Sequence, residues 1–142
     1  MARILVVDDE PLIALLTEEW VTELGHTPVG PAGNLKAAFE LVANSDIDGA
    51  IIDVTLGRES AYPLAEALAA RGVPFAFATG LSEAAIERGH AAVAVLVKPF
   101  GLKPFKNALE AIVDARSLFA NGRGHSQTNQ TPYSAANSAQ GE

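Results

Sequence analysis

The sequence predicts an α/β fold built on a parallel, doubly wound sheet, and three observations predict this class. Short apolar runs alternate with helical patterns five times within residues 1–120. Each apolar run is bounded by turn-forming residues, as in strands that are buried on both faces. A strict β-α alternation is typical of parallel strands joined by right-handed crossovers. We therefore expect five strands and five helices in one domain.

The first strand is predicted over residues 3–7, where an apolar run meets an acidic stretch. Pro11 suits the first turn of the helix that follows, because no N–H is needed there, and Gly25 suits its end. The inner face of this helix is predicted to comprise Leu12, Ile13, Leu16, Trp20 and Leu24. Leu15 lies off this arc, so it is either a partner-facing residue or a lone surface leucine.

The second strand is predicted over residues 26–30, and Pro28 indicates that it lies at an edge of the sheet. Helical spacing then predicts a second helix with an inner face of Leu35, Ala38, Phe39 and Val42. A turn over residues 44–46 leads to a buried third strand that ends at Asp53.

A third helix is predicted to end near Gly72 and to bury Tyr62, Ala65, Leu68 and Ala69. The fourth strand is predicted over residues 73–79. A short or irregular fourth helix should follow Ser82, because few residues remain before Gly89. The fifth strand is predicted over residues 93–97. The last helix should begin near Pro104 and fade by residue 120, with an inner face of Phe105, Ala108, Leu109, Ile112 and Val113.

Residues 121–142 are rich in Gly, Ser, Asn and Gln, and we expect a flexible polar tail there, beyond a domain at 1–120. The chain has no cysteine, which excludes disulfides and thiolate metal sites. A net charge of −7 argues against nucleic-acid binding. No stretch resembles a signal peptide or spans a bilayer, so a cytoplasmic protein without membrane partners is expected.

Five polar residues stand where predicted strands end: Asp8, Asp9, Asp53, Thr79 and Lys98. Ligands of open α/β sheets bind beyond the carboxyl ends of the strands, so these side chains should share one pocket. Three carboxylates in one pocket repel one another, and a hard divalent cation would neutralise them. Oxygen ligands favour Mg²⁺ over zinc, and Mg²⁺ would keep open positions for water and a phosphate oxygen.

The same set fits phosphoryl chemistry. A carboxylate such as Asp53 can form an aspartyl-phosphate, while a lysine and a hydroxyl would bind the oxygens of the transferring group. Gly80, directly after Thr79, leaves the backbone accessible to that group. Lys98-Pro99 makes a rigid turn whose peptide bond could be cis. Each feature alone is common, but all of them in chain order predict a phosphoryl-transfer site.

On these residues the sequence resembles a response-regulator receiver domain of two-component signalling, over residues 2–120. The matching motifs are the run from Ile4 to Pro11, Asp53, Thr79 and the Lys98-Pro99-Phe100 triplet. The resemblance implies a five-stranded sheet in the order 2-1-3-4-5 with helices on both faces.

The resemblance also implies roles for individual residues. Asp53 would be the phosphoacceptor, and the phosphoryl group would contact Thr79, Lys98 and the backbone N–H of Gly80. Asp9 would bind Mg²⁺ directly and Asp8 mostly through water. Together with Asp53, the main-chain carbonyl of Thr55 would complete the protein ligands.

One feature departs from the family pattern, and another resembles that of a subgroup within the family. Receivers usually have an aromatic switch residue three positions before the lysine, and this chain has Val95 there. The run from Phe77 to Gly80 resembles the Phe-x-Thr-Gly signature of a subgroup of stand-alone receivers, although Leu81-Ser82 does not continue that signature.

The predicted function is that of a single-domain response regulator, which is a phosphoacceptor rather than an enzyme. It would take a phosphoryl group from a phosphohistidine on a sensor histidine kinase or a histidine phosphotransfer protein. It would then change its affinity for an unidentified downstream protein, or act as a phosphate sink.

Two alternatives belong to other classes. A Mg²⁺-dependent phosphohydrolase of the haloacid dehalogenase type needs Asp-x-Asp after the first strand, whereas this chain has Asp8-Asp9-Glu10. A degenerate receiver that binds partners without phosphorylation is kept open by Val95.

Overall fold

A computed structural model of the chain describes residues 1–80, 92–125, 137–138 and 140–141. The predicted parallel sheet is confirmed. Its five strands are β1 (Arg3–Val7), β2 (Thr27–Ala32), β3 (Gly49–Asp53), β6 (Phe75–Thr79) and β7 (Ala94–Val97). They are all parallel and lie in the order β2-β1-β3-β6-β7, which is the predicted order 2-1-3-4-5 with β2 at an edge.

The described helices are α1 (Pro11–Glu23), α2 (Leu35–Asn44), α3 (Tyr62–Ala70) and α4 (Leu102–His125). A short antiparallel hairpin of β4 (Thr55–Leu56) and β5 (Glu59–Ser60) directly follows β3, and the sequence analysis did not predict it. Near the C-terminus, β8 (Asn137–Ser138) pairs with β9 (Gln140–Gly141). None of the described helices is long and apolar enough to cross a membrane.

The helices cover both faces of the sheet and bury one apolar core on each. On one face α2 and α3 pack over alternate strand residues such as Leu5, Ile52 and Phe77. On the other face α1 and α4 pack over Ile4 and Ile51. This alternation along each strand follows from the period of two in a β-strand and leaves the strands buried on both sides.

The predicted inner face of α1 is partly wrong. Leu12 is 80% exposed, whereas the buried residues of this helix are Ala14, Thr17 and Val21. Helical periodicity identifies an apolar arc, but it does not tell which edge of the arc faces the sheet. The buried Thr17 hydroxyl is satisfied within the helix, since it donates to the carbonyl of Ile13 at 2.8 Å.

Similar differences occur in the next two helices. Phe39 of α2 is 38% exposed, and the half-buried Leu41 packs against the core in its place. In α3, Ala69 is exposed and Leu64 is buried. The predicted inner residues of α4 from Phe105 to Ile112 are buried, in agreement with the sequence.

The last helix is longer than predicted. α4 begins at Leu102 and ends at His125, so it extends beyond the predicted end at residue 120. The predicted fourth helix after Ser82 falls within residues 81–91, outside the described residues. Most of the predicted tail over 121–142 does so too, and its flexibility stays a prediction.

Candidate functional site

The carboxyl ends of β1, β3, β6 and β7 meet at one edge of the sheet, as predicted. Asp53 of β3 is in register with Ala78 of β6. Thr79, which follows Ala78, is in register with Val97 of β7. The backbone N–H of Lys98 donates to the carbonyl of Thr79 at 2.7 Å. The side chains of Asp8, Asp53 and Thr79 are buried at this edge, so the topology brings the predicted residues together.

Lys98 lies at the centre of the pocket. Its Nζ is 3.0 Å from Asp8 Oδ2, 3.0 Å from Asp53 Oδ2 and 2.7 Å from Glu10 Oε1. The lysine side chain is only 14% exposed, and ion pairs of this kind are strongest where water is excluded. One ammonium therefore bridges three carboxylates from two different strand ends.

Glu10 is the pocket residue that the sequence analysis missed. It lies in the acidic run after β1, but 88 residues separate it from Lys98, and only the fold brings the two together. The signal was the run itself, Asp8-Asp9-Glu10, of which only the first two residues were assigned to the site. Asp8 Oδ1 accepts the backbone N–H of Glu10 at 2.9 Å and so ties the Asp8 side chain to the backbone of Glu10.

The pocket perturbs the protonation of its charged groups. Burial alone would lower the pKa of Lys98, but the hydrogen bonds to Glu10, Asp8 and Asp53 outweigh it and raise that pKa. Burial raises the pKa of Asp53 despite the opposing effects of Lys98 and the Thr55 backbone N–H, and the negative charge of Asp8 adds to the rise. The geometry itself shows an excess of negative charge, since one ammonium contacts three carboxylates.

Three carboxylates form a candidate cation site. Asp8, Glu10 and Asp53 each offer one oxygen, and these oxygens all lie within 4.8 Å of one another. An oxygen-only donor set with excess negative charge fits Mg²⁺. This is the class of site that the sequence predicts, although the predicted set has Asp9 in place of Glu10.

The side chain of Asp9 lies outside this cluster. Its Oδ2 accepts the backbone N–H of Gly57 at 2.9 Å, which ties the loop after β1 to the turn of the β4–β5 hairpin. Gly57 has φ +62°, a conformation that favours glycine, so this turn suits its sequence. The predicted role of Asp9 as a direct Mg²⁺ ligand stays a prediction.

The acceptor loop and the end of β6 also have defined geometry. The backbone N–H of Thr55 donates to Asp53 Oδ1 at 3.1 Å, so the two oxygens of Asp53 have different partners. Gly80 is exposed at the end of β6, and among the residues that the structure describes, its chain neighbours aside, no atom lies within 4 Å of where a Cβ would be. The predicted contacts of Thr79 and Gly80 with a phosphoryl group, and of the Thr55 carbonyl with a metal, stay predictions.

The fifth strand of the parallel sheet, β7, departs from the family pattern at Val95, whereas the turn after it keeps the matching motif. The Lys98-Pro99 peptide bond is cis, as the sequence allowed. Val95 is half-buried against the core of the α2–α3 face, and β7 contains no aromatic residue. Phe100 instead forms an aromatic cluster with Trp20 of α1 and Phe105 of α4, with ring centroids 5.3 to 6.2 Å apart.

A parallel sheet of this order, with carboxylates from two strand ends and a lysine from a third, defines the class of receiver folds. Residues 4–110 match the family model of the response regulator receiver domain, so the chain belongs to that family. Members of this family are typically phosphoacceptors rather than true enzymes. The predicted resemblance is thus confirmed.

Individual relatives agree with this assignment. The chain is 33% identical over 115 residues to the transcriptional regulatory protein PdtaR of Mycobacterium tuberculosis, covering 78% of this chain and 56% of PdtaR. The chain therefore spans little more than half of that relative.

Two solved structures are also similar. The solution structure of SdrG from Sphingomonas melonis Fr1 is 43% identical with a TM-score of 0.71, covering 80% of this chain and 97% of SdrG. The response regulator TrrA from Thermotoga maritima, crystallised in complex with Mg²⁺-BeF, is 26% identical with a TM-score of 0.68, covering 79% of this chain and 99% of TrrA.

Proposed function

We propose that this protein accepts a phosphoryl group from a phosphohistidine onto Asp53 and signals through the change that follows. The observation that supports this best is the environment of Asp53. It is a buried carboxylate at a strand end, with the Thr55 backbone N–H on one oxygen and the Lys98 ammonium on the other. Such a carboxylate is held in a fixed orientation beside a cation that can neutralise phosphoryl oxygens.

In the proposed step, a carboxylate oxygen of Asp53 attacks phosphorus. A phosphorus–oxygen bond forms as the phosphorus–nitrogen bond of the donor breaks, and the histidine nitrogen keeps the electron pair. Lys98 would contact the transferred group, with Thr79 and the backbone N–H of Gly80 beside it. Mg²⁺ held by the pocket carboxylates, with Asp9 and the Thr55 carbonyl as further candidate ligands, would supply additional positive charge for the phosphoryl oxygens.

The donor in this proposal is a sensor histidine kinase or a histidine phosphotransfer protein in the cytoplasm. Structures of relatives support the chemistry: TrrA is described in complex with Mg²⁺-BeF, and SdrG, 42% identical, in a BeF3-activated conformation. We infer that phosphorylation changes the affinity of this chain for a downstream protein. Draining phosphate from the kinase is the second outcome that this chemistry allows.

The test is phosphorylation in solution. The protein is incubated with Mg²⁺ and acetyl phosphate, and its intact mass is measured beside Asp53→Ala and the control Asp46→Asn, which changes an exposed aspartate. We expect one phosphoryl group on the wild type and on the control, and none on Asp53→Ala. Turnover of small phosphomonoesters without a stable adduct would favour the hydrolase, and an unmodified protein would favour the phosphorylation-independent module.

A further inference from the structure

The three carboxylates that bind Lys98 lie at different depths in the pocket. The side chains of Asp8 and Asp53 are 5% and 10% exposed, whereas that of Glu10 is 59% exposed. Two of the carboxylates are therefore inside the pocket and the third is at its mouth. The contact with Glu10, 2.7 Å, is also the shortest of the three.

The backbone of Glu10 is held firmly in place. Its N–H donates to Asp8 Oδ1, and its carbonyl accepts the N–H of Ala14 in the first turn of α1. The next residue is Pro11, whose ring restricts the backbone conformation of the residue before it. The Glu10 side chain therefore reaches the pocket mouth from a fixed position.

A divalent cation at Asp8 and Asp53 would compete with Lys98, because the ammonium already occupies one oxygen of each carboxylate. Two cations that share these oxygens repel each other strongly in a pocket with little water. The lysine must then give up its inner contacts. Its contact with Glu10, 2.7 Å from Nζ at the pocket mouth, is the described ion pair that a cation at Asp8 and Asp53 leaves in place.

We propose that Glu10 is a positioning residue of this pocket, whose carboxylate holds the Lys98 ammonium at the pocket mouth while a divalent cation occupies Asp8 and Asp53. This inference rests on the proposed function, in which cation and lysine must be present together. Without Glu10, Lys98 keeps its inner contacts and competes with the cation for them.

The experiment is a Mg²⁺ titration followed by two-dimensional amide spectra. The variants are Glu10→Gln, Lys98→Met, the double variant, and the control Glu23→Gln, which removes the same charge from the far end of α1, about 20 Å from Glu10 along the helix. Thermal unfolding verifies that each variant is folded, and methionine retains the apolar stem of the lysine.

We expect Glu10→Gln to raise the Mg²⁺ Kd about three- to fivefold, the effect of an exposed ion pair, and Glu23→Gln to leave it unchanged. In the Lys98→Met background the same Glu10 substitution should have less than half of this effect, because no lysine remains to compete. An unchanged Kd in Glu10→Gln would overturn the inference. An undiminished effect without Lys98 would also overturn it and make Glu10 a direct metal ligand.

A second measurement follows the lysine itself. Lys98 is one of four lysines in the chain, and its ammonium signal in a lysine-labelled sample is assigned by its loss in Lys98→Met. In saturating Mg²⁺ the ammonium should stay protected from exchange in the wild type and lose protection in Glu10→Gln. Equal protection in both would contradict the inference. These two measurements need no phosphorylation, so they test Glu10 even if the wild type accepts no phosphoryl group.

Discussion

Asp53 lies among charges that do not balance, since its own carboxylate and those of Asp8 and Glu10 share one ammonium. Such an arrangement attracts a cation, but it costs folding stability because like charges repel one another. We therefore make two predictions for single residues. One concerns Asp53, whose ionised form the fold destabilises, and the other concerns Asp48, whose ionised form it stabilises.

Asp53→Asn should stabilise the protein. The pKa of Asp53 is raised in the folded chain above its ordinary value of 3.8, so the folded chain binds the proton more tightly and stability falls as pH rises through the folded pKa. At pH 7 in a chelator, the variant should unfold about 2–5 °C above the wild type, for a gain of about 1 kcal/mol. The gain should shrink as the pH falls below the folded pKa. A variant less stable than the wild type at pH 7 would contradict this.

Asp48→Asn should have the opposite effect. Asp48 Oδ2 accepts the backbone N–H of Arg3 at 2.9 Å, and its Oδ1 accepts Nη2 and Nε of Arg116 at 2.9 and 3.1 Å. Burial opposes ionisation of Asp48, but these donors outweigh it and lower the pKa. The stabilisation is therefore complete above the unfolded pKa of 3.8 and is lost as the pH falls through the lower folded pKa.

Denaturant unfolding measures this effect. At pH 7, Asp48→Asn should cost about 1 kcal/mol, a value reduced by the partial exposure of Arg116. The exposed neighbour Asp46, changed to asparagine, is the matched control and should cost little. The difference between wild type and Asp48→Asn should close in strong acid; a constant difference at every pH would show that charge is not the cause.

At the scale of elements, the packing of α4 on the sheet depends on a missing side chain. Gly49 begins β3 directly beneath α4, and a Cβ at this position would overlap Cγ2 of Ile112 and lie 3.3 Å from Cδ1 of Ile4. The glycine therefore allows the helix to approach the strand closely.

Gly49→Ala should destabilise the fold by about 1–3 kcal/mol, because the extra carbon forces α4 away from the sheet. In an Ile112→Ala background, which creates space at the same point, the added cost should be less than half as large. Gly33→Ala is the control, since its nearest neighbour to a Cβ is 3.9 Å away. Equal costs of Gly49→Ala in both backgrounds, measured by denaturant unfolding, would contradict this packing.

Elements also differ in how well the sequence predicts them. Buried strands such as β3 and β6 were predictable because a short apolar run between turn residues has few other interpretations. The buried faces of the helices were less predictable from the sequence. Leu12 and Phe39 belong to the apolar arcs of their helices, but they lie at the edges of these arcs and are exposed. The β4–β5 hairpin has strands of two residues, too short for any periodicity to show.

At the scale of the whole molecule, strand order converts separated motifs into one pocket. Asp8, Asp53 and Lys98 were predictable because each lies at the carboxyl end of a strand, and the carboxyl ends of parallel strands share one edge of the sheet. The contact between Glu10 and Lys98 was not predictable from the sequence, because it depends on the direction of two long side chains from different loops. The aromatic cluster of Trp20, Phe100 and Phe105 likewise depends on how α1 and α4 sit on the sheet.

The location of the phosphoryl group is the measurement that tests the central claim most directly. After incubation with Mg²⁺ and acetyl phosphate, borohydride reduces an aspartyl-phosphate to homoserine, which survives digestion. Trypsin separates the peptide of residues 37–58, with Asp53, from that of residues 4–36, with Asp8 and Asp9. Fragmentation of the peptides should find homoserine at position 53 alone. Homoserine at Asp8 or Asp9, or at no aspartate, would contradict the assignment of Asp53 as the phosphoacceptor.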